Sequence, residues 1–404
     1  MKIGWVDFSK EEREKALGLL RLLQETGAID ELGVGIVRDA FADRFFPCIS
    51  TLMTRAKYFV IVPYIVKESI GEGARKGWTA RETLVKINDE ERKIGKRLWE
   101  MHRDEKRSYG IIGFQTLKHD SWVKRSPSEL YWNGIRKLGI CGEANLSLFQ
   151  YINASLQMAR LRGRDLGTLR RGEECEGDDL DAGGPLRLKP LDIAEIYHRN
   201  WRQNVDIDLS NDEAKYLKRK IQENMPDSLL ALSIRNSIDL REFNGSFESF
   251  SMVISKFADA RTSNLLDLAN KFSQTVDAAW TRYNVILQGN RSNEAAERWN
   301  EIMRPRPLFD VGYIDRIFGE LNLDKPQYGL MFRFLRDIQG CLNHGDTGTL
   351  DRLIREREKA IKGTARAKLA HSEKYSKWVG GKLLDFRLEN AAQILGDILE
   401  ADNV

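Results

Sequence analysis

The chain has 404 residues, of which 42% are hydrophobic and 31% are charged, a composition that indicates a folded globular protein rather than a disordered one. Its 64 lysines and arginines against 60 aspartates and glutamates leave a net charge of +4, which is too small to indicate polyanion binding by itself. The four cysteines lie far apart without a Cys-x-x-Cys pair, which argues against a structural zinc site or a disulfide framework.

The N-terminal region begins with a strand-like segment, Ile3–Phe8, followed by a helix that Ser9 caps and Gly27 ends. A second helix is expected over Gly33–Phe46, where Pro47 stops it. No apolar signal segment is visible here, so the sequence predicts a cytoplasmic protein.

The most hydrophobic segment, Ser50–Val66, reads STLMTRAKYFVIVPYIV. Its apolar residues surround most of a helical circumference, so we expect a largely buried helix that Ser50 or Thr51 caps and Pro63 kinks. The uncharged part, Tyr58–Val66, has nine residues, whereas a membrane-spanning helix needs roughly twenty. The sequence therefore predicts a core helix and no membrane partner.

Two cations of this segment, Arg55 and Lys57, enter a mostly apolar helix and need partners there, since unpaired buried charges are costly. Asp39 and Asp43 lie four residues apart on the preceding predicted helix and therefore share one face of it. We predict that these carboxylates form structural ion pairs with Arg55 or Lys57.

A metal-dependent nuclease is an alternative interpretation of the same carboxylates. Asp39 and Asp43 are spaced to hold a divalent cation together, and Asp89–Lys93 has residue types found in part of a nuclease site. Against this, Arg38 and Arg44 favour ion pairing, and the charges of Asp89–Lys93 are ordinary for an exposed helix.

Helical periodicity dominates the chain, and few segments alternate as strands do. We predict a mainly α, multi-helix fold with two subdomains and a small β element near the N-terminus. Acidic residues 173–184, nearly free of aromatics, indicate a linker or an exposed loop. The predicted division is an N-terminal helical domain over 1–172, a linker over 173–189 and a C-terminal helical domain over 190–404.

Motifs for catalysis or cofactor binding are missing from the sequence. The histidines are scattered, and Asn343-His344-Gly345-Asp346 predicts a turn after a helix, because no second catalytic or metal-binding group is spaced to join His344. Neither a phosphate-binding loop nor a complete dinucleotide fingerprint is present. We predict no catalytic residue, no metal site and no cofactor.

Basic residues cluster in two stretches. A helix expected over Thr349–Leu369 has cations on one face and apolar residues opposite, and it presents either a phosphate-binding face or an ordinary solvated one. A second cluster precedes the acidic linker and either binds nucleic acid or pairs with the carboxylates of that linker. The predicted nucleic-acid-binding residues are Arg352, Arg355, Lys359, Lys362 and Arg366 in the first stretch and Arg160, Arg164 and Arg171 in the second.

Three segments together carry a family resemblance: Ile3–Ser9, the block from Arg38 to Phe59 that contains TRAKYF, and Arg355–Arg387. Together with Ala279–Asn284 they resemble a bacterial family of unknown function, domain-of-unknown-function family 6361. The resemblance implies an accessory protein of prokaryotic defence loci, encoded near helicases and phospholipase-D-type nucleases, and it supplies no catalytic residues.

The basic stretches, the lack of catalytic motifs and this resemblance predict a non-catalytic subunit of an anti-phage defence complex. Its expected partners are DNA, a helicase or nuclease subunit, or both. A metal-dependent nuclease and a protein-binding scaffold without nucleic-acid contact are the alternatives.

Overall fold

The computed structural model describes residues 30–104, 110–143, 145–171, 188–291, 293–304, 308–324, 326–381 and 383–402, without the side chains of 162–171 and 290. These residues form helices and turns with one isolated antiparallel bridge, between Cys141 and Leu191. The prediction of a mainly α fold is confirmed. The predicted strand Ile3–Phe8 and the helix after it lie outside the described residues.

The α-helices of the described residues are numbered here in chain order. They are α1 (Gly35–Phe45), α2 (Tyr58–Lys76), α3 (Ala80–His102), α4 (Phe114–Leu117), α5 (Pro127–Lys137), α6 (Leu148–Arg171), α7 (Asn211–Asn224), α8 (Leu229–Arg235), α9 (Phe247–Ile254), α10 (Ala260–Gln288), α11 (Glu294–Ile302), α12 (Tyr313–Glu320), α13 (Gly329–His344), α14 (Thr347–Lys362) and α15 (Leu388–Asp402).

Contacts within the chain divide it into two compact units. Unit 1 comprises 1–41 and 258–386, and unit 2 comprises 42–257 and 387–404. These bounds differ from the division predicted at 173–189, because residues after 190 pack with residues before 172 inside unit 2. The Tyr64 hydroxyl, for example, donates to the carbonyl of Ile196. Most of the predicted linker lies outside the described residues.

Unit 1 is built around α10, which is 29 residues long. This helix packs against α11, α12, α13 and α14, and α13 and α14 pack against each other across the short turn that joins them. Phe272 of α10 is fully buried and contacts Phe41, whose ring also lies 5.5 Å from that of Phe386. Helix α14 is therefore one wall of a packed bundle.

Unit 2 has α2 at its centre. Every residue from Tyr58 to Val66 is buried, and α2 packs against α3, α5 and α6. The C-terminal helix α15 packs against α7 and a 3-10 turn at Leu240–Phe243. The prediction of a core helix is confirmed for this segment. Among the described residues, no helix has the length and apolar character needed to cross a membrane.

Helix α2 begins at Tyr58, so the prediction of a cap at Ser50 or Thr51 was wrong. Side chains from distant elements take the backbone groups that a helix would use in the preceding residues. The hydroxyl of Tyr131 accepts from the amides of Thr54 and Arg55 and donates to the Arg55 carbonyl, 2.9 Å away. Residues 50–57 therefore form turns and irregular backbone, in which distant side chains accept the amides of Thr54, Arg55 and Ala56.

Candidate functional site

Helix α14 has an outer face of cations and an inner face that fastens it to unit 1. Arg352, Arg355 and Lys359 are exposed, whereas Leu350 and Ile354 opposite them are buried. The predicted amphipathic pattern is thus present for three of the five cations. Arg352 lies 3.6 Å from Glu356, an exposed pair whose attraction is weak in water and leaves the arginine available.

The inner face of α14 is anchored by a buried carboxylate. Glu358 is fully buried and accepts the Tyr283 hydroxyl at 2.7 Å. It also accepts the backbone amides of Lys368 and Leu369 at 2.9 and 3.0 Å. These bonds hold the chain that follows α14 against the helix, so the outer cations lie on a rigid support.

Lys362 does not belong to the exposed face. Its ammonium lies 2.8 Å from the Glu31 carboxylate, and its side chain is only 12% exposed. Lys368 binds the same carboxylate at 2.8 Å. Burial alone would raise the pKa of Glu31, but the hydrogen bonds from these two lysines outweigh burial and lower it. The structure therefore assigns Lys362 to an internal ion pair, which corrects its prediction as a phosphate contact.

Arg366 lies beyond the end of α14, so the prediction of a helix through Leu369 was wrong. Gly363 follows Lys362 with φ of 74°, a conformation that residues with a Cβ rarely adopt, and it ends the helix. The Arg366 side chain is exposed and donates to the Lys362 carbonyl at 3.2 Å. It lies near the helix end but is not a member of the helical row.

A groove between α13 and α14 brings charges of both signs to this region, because Asp337 and Asp346 line it beside two arginines. It has a volume of about 470 Å³, and Arg336, His344 and Arg352 are among the residues that line it. His344 is the last residue of α13, its Nδ1 lies 2.7 Å from the Gly340 carbonyl, and Gly345 follows with φ of 71°. The predicted turn at this position is confirmed.

The second basic cluster is described only in part. Arg160 on α6 is exposed and donates to the backbone carbonyls of Gly77 and Trp78. Its guanidinium therefore helps to hold the end of α2. The side chains of Arg164 and Arg171 lie outside the described residues, so their predicted role stays a prediction.

The ion pairs of Arg55 and Lys57 join elements far apart in sequence, which corrects the predicted pairing with Asp39 and Asp43. Arg55 binds Asp397 of α15 at 2.9 Å and Asp208 at 2.7 Å. Burial opposes the charge of Arg55, but hydrogen bonds and attraction from these carboxylates outweigh burial and raise its pKa. Lys57 binds Glu213 of α7 at 2.6 Å.

The two aspartates predicted as partners pair elsewhere. Asp39 lies 3.1 Å from the neighbouring Arg38, and Asp43 lies 2.5 Å from Arg387. Arg387 reaches Asp43 from 344 residues further along the chain. Arg38 is a sequence neighbour of Asp39, so its pairing follows from the sequence, whereas nothing in the sequence indicates that Arg387 pairs with Asp43.

The structure also contains an ionic cluster that sequence analysis missed. Glu68 of α2 accepts from the Tyr197 hydroxyl at 3.0 Å, from Trp201 Nε1 at 2.7 Å and from Arg202. Arg202 also binds Glu90 of α3 at 2.8 Å. Tyr197 lies 129 residues after Glu68, so no local pattern connects them. The one sequence signal was the presence of a charged residue, Glu68, on a largely buried helix.

Three carboxylates of the nuclease alternative, Asp39, Asp43 and Glu90, are paired with cations. Glu90 binds Lys86, Lys93 and Arg202, and Asp89 is exposed on α3. Among the described residues, no group of three or more histidine, cysteine, aspartate or glutamate side chains is placed to hold a metal ion.

Glu91 is buried and caps α5. Its carboxylate accepts the Ser128 amide at 2.6 Å and the Ser128 hydroxyl at 3.2 Å. Burial raises its pKa from the ordinary 4.5 to about 8, against the opposing effect of these hydrogen bonds. The folded protein therefore keeps a proton that the unfolded chain releases between these two values.

We expect the free energy of unfolding to fall as pH rises from 4.5 to about 8 because of Glu91, by about 1.4 kcal/mol per pH unit within that window. Glu91→Gln does not titrate and can still accept the Ser128 amide. Urea unfolding at the two ends of the window should therefore show that the free energy of unfolding of the variant, relative to that of the wild type, increases as pH rises. A constant difference between the two proteins would contradict the raised pKa.

The N-terminal part of the chain matches the model of one protein family. Residues 1–162 match a family of unknown function, DUF6361. The DUF6361 match includes Ile3–Ser9 and the TRAKYF block, which supports the resemblance seen in the sequence for this part of the chain. Ala279–Asn284 and Arg355–Arg387 lie outside the match. No curated protein and no solved structure matched the chain.

The DUF6361 match ends before the partners of its buried cations. Asp208, Glu213 and Asp397 all follow residue 162, yet they neutralise Arg55 and Lys57 of the TRAKYF block. The segment that carries the resemblance is thus completed, within unit 2, by residues from the rest of the chain.

Proposed function

We propose that this chain is a non-catalytic subunit of an anti-phage defence complex and binds DNA through the outer face of α14. The observation that carries the DNA-binding proposal is the exposed row of Arg352, Arg355 and Lys359 on a helix anchored from behind by Glu358. The defence context rests on the resemblance to DUF6361 alone. A helicase or nuclease subunit is the proposed protein partner on the same ground.

The spacing of the row suits a nucleic-acid backbone. Arg352 and Lys359 are seven residues apart, which is about 10 Å along a helix axis. A duplex strand presents a phosphate about every 3.4 Å along its axis, so this length corresponds to about three phosphates. The groove beside Arg352 also contains Arg336, but Asp337 and Asp346 offset these two cations, so the proposed contact rests on the row of α14 itself.

Charge reversal tests the proposal directly. The triple variant Arg352→Glu, Arg355→Glu and Lys359→Glu should bind a labelled DNA duplex at least about tenfold more weakly. Its plot of log affinity against log salt concentration should be shallower by about three, because each lost phosphate contact removes about 0.9 from the slope. Fluorescence anisotropy over a salt series measures both quantities. Lys362 is left unchanged, since its reversal would place a second carboxylate beside Glu31.

A matched control separates this face from the total charge. Lys215→Glu, Lys256→Glu and Arg261→Glu change three exposed cations outside α14 and alter the net charge equally. This control should keep the wild-type salt slope. Equal losses of DNA affinity in both triple variants would assign the binding to net charge and contradict the proposed interface. A wild-type protein without salt-sensitive DNA binding would contradict it as well.

The partner proposal has a separate readout. Purified wild-type protein should retain a helicase or nuclease subunit encoded beside it, and the α14 triple variant shows whether the same face serves both partners. Retention of that subunit without any DNA binding would favour the scaffold alternative. Cleavage of the duplex in magnesium or manganese would favour the nuclease alternative.

A further inference from the structure

A second cavity, of about 250 Å³, lies in unit 2 beside the N-terminal end of α7, and it has no part in the DNA-binding proposal. Lys57 and Glu213 line it and are 6% and 9% exposed. Tyr64 and Trp201 line it as well, with ring centroids 5.3 Å apart. The exposed residues Asn200 and Asn204 contribute polar groups at its surface. The cavity thus joins buried charges, aromatic rings and a polar rim.

The buried pair has unused hydrogen-bonding capacity. The Lys57 ammonium has three N–H groups and donates one to Glu213 Oε2 at 2.6 Å. Glu213 Oε2 also accepts the amide of Ser210, whose side chain caps α7 by accepting the Glu213 amide. No described residue accepts the other two N–H groups of Lys57 or donates to Glu213 Oε1. Since both residues line the cavity, it offers adjacent donors and an acceptor from groups that are nearly buried.

This pattern selects a ligand that presents an acceptor and a donor side by side. The edge of a nucleobase has such neighbouring groups, and its flat faces suit the aromatic rings of Tyr64 and Trp201. The volume lies below the roughly 300–1,000 Å³ of pockets for drug-sized ligands, which favours a single small ring system. Asn200 and Asn204 then lie where the hydroxyl groups of a ribose would extend toward solvent.

The charge of the cavity lining favours an uncharged nucleobase or nucleoside over a nucleotide with a phosphate group. The lining has one lysine and two carboxylates, because Asp212 at the surface joins Glu213, and it also contains the imidazole of His198. The two carboxylates outnumber the lysine, so a phosphate entering this cavity would meet more carboxylate than ammonium groups. We propose that the cavity binds an uncharged nucleobase or nucleoside through Lys57 and Glu213. The site is built from unit 2 alone, whereas α14 belongs to unit 1, so neither proposal rests on the other.

Isothermal titration calorimetry on the full chain tests the ligand class. The probes are adenosine, guanosine, cytidine and uridine, their 5′-monophosphates, and indole as a flat ring that has an N–H donor but no adjacent acceptor. We expect at least one nucleoside to bind, with its monophosphate and indole at least about tenfold weaker. Absence of nucleoside binding overturns the proposal, and so does tighter binding of monophosphates or equal binding of indole.

A cavity-filling variant locates the binding. Lys57→Met is unsuitable alone, because it leaves Glu213 as an unpaired buried charge and risks unfolding. Asn204→Trp instead fills the cavity from an exposed rim position and should reduce nucleoside affinity at least about tenfold. Asn88→Trp places the same ring on an exposed face of α3 and should leave the affinity unchanged. Nucleoside binding that survives Asn204→Trp would place the site elsewhere and overturn the assignment.

Discussion

Replacing Asp397 with alanine should lower the free energy of unfolding by about 3 kcal/mol, because the change removes one partner of a buried ion pair. Arg55 Nε lies 2.9 Å from Asp397 Oδ2, and the two side chains are 9% and 3% exposed. Asp397 also accepts the backbone amide of Ala56 at 2.8 Å. The variant therefore leaves both a guanidinium and an amide with lost partners in the core of unit 2.

Urea unfolding at neutral pH measures this loss, and two further variants show its cause. Glu195→Ala breaks an exposed ion pair with Arg219 in the same unit and should cost at most about 1 kcal/mol. The double variant Arg55→Met, Asp397→Leu removes both charges and should recover much of the stability, since apolar residues often replace a buried pair without loss. A loss of similar size in Asp397→Ala and Glu195→Ala would contradict a buried role for Asp397.

Local sequence signals predicted those parts of the fold that depend on neighbouring residues. The end of α1 at Phe45, shortly before Pro47, and the turn at Gly345 follow from residues that prefer these backbone conformations. The start of α2 could not be predicted in this way. Its preceding turns are held by Tyr131 and Asp397, which are 77 and 341 residues from their bonding partners.

The residues of the candidate interface also differ in whether neighbouring residues alone could predict their position. Helical spacing predicted the exposed row of Arg352, Arg355 and Lys359, because side chains three or four residues apart share a face. Spacing alone also included Lys362, whose partner Glu31 lies 331 residues earlier. Burial of a lysine by a distant carboxylate is a tertiary contact, and a helical pattern contains no information about it.

These long-range partners make the DUF6361 segment dependent on the rest of the chain. In unit 2, the carboxylates of Asp208, Glu213 and Asp397 neutralise its buried cations. In unit 1, Lys362 and Lys368 neutralise its Glu31. A fragment of residues 1–162 would keep charged groups suited to burial and lose every one of these partners.

We therefore expect residues 1–162 alone to be insoluble or to lack a cooperative unfolding transition. The matched control is a chain divided within the predicted linker, with residues 1–171 and 188–404 expressed together. This pair retains all the ion pairs described for Arg55, Lys57 and Glu31, so its two pieces should copurify and unfold cooperatively in circular dichroism. Cooperative unfolding of residues 1–162 alone would show that the segment folds without these partners and that its buried cations find others.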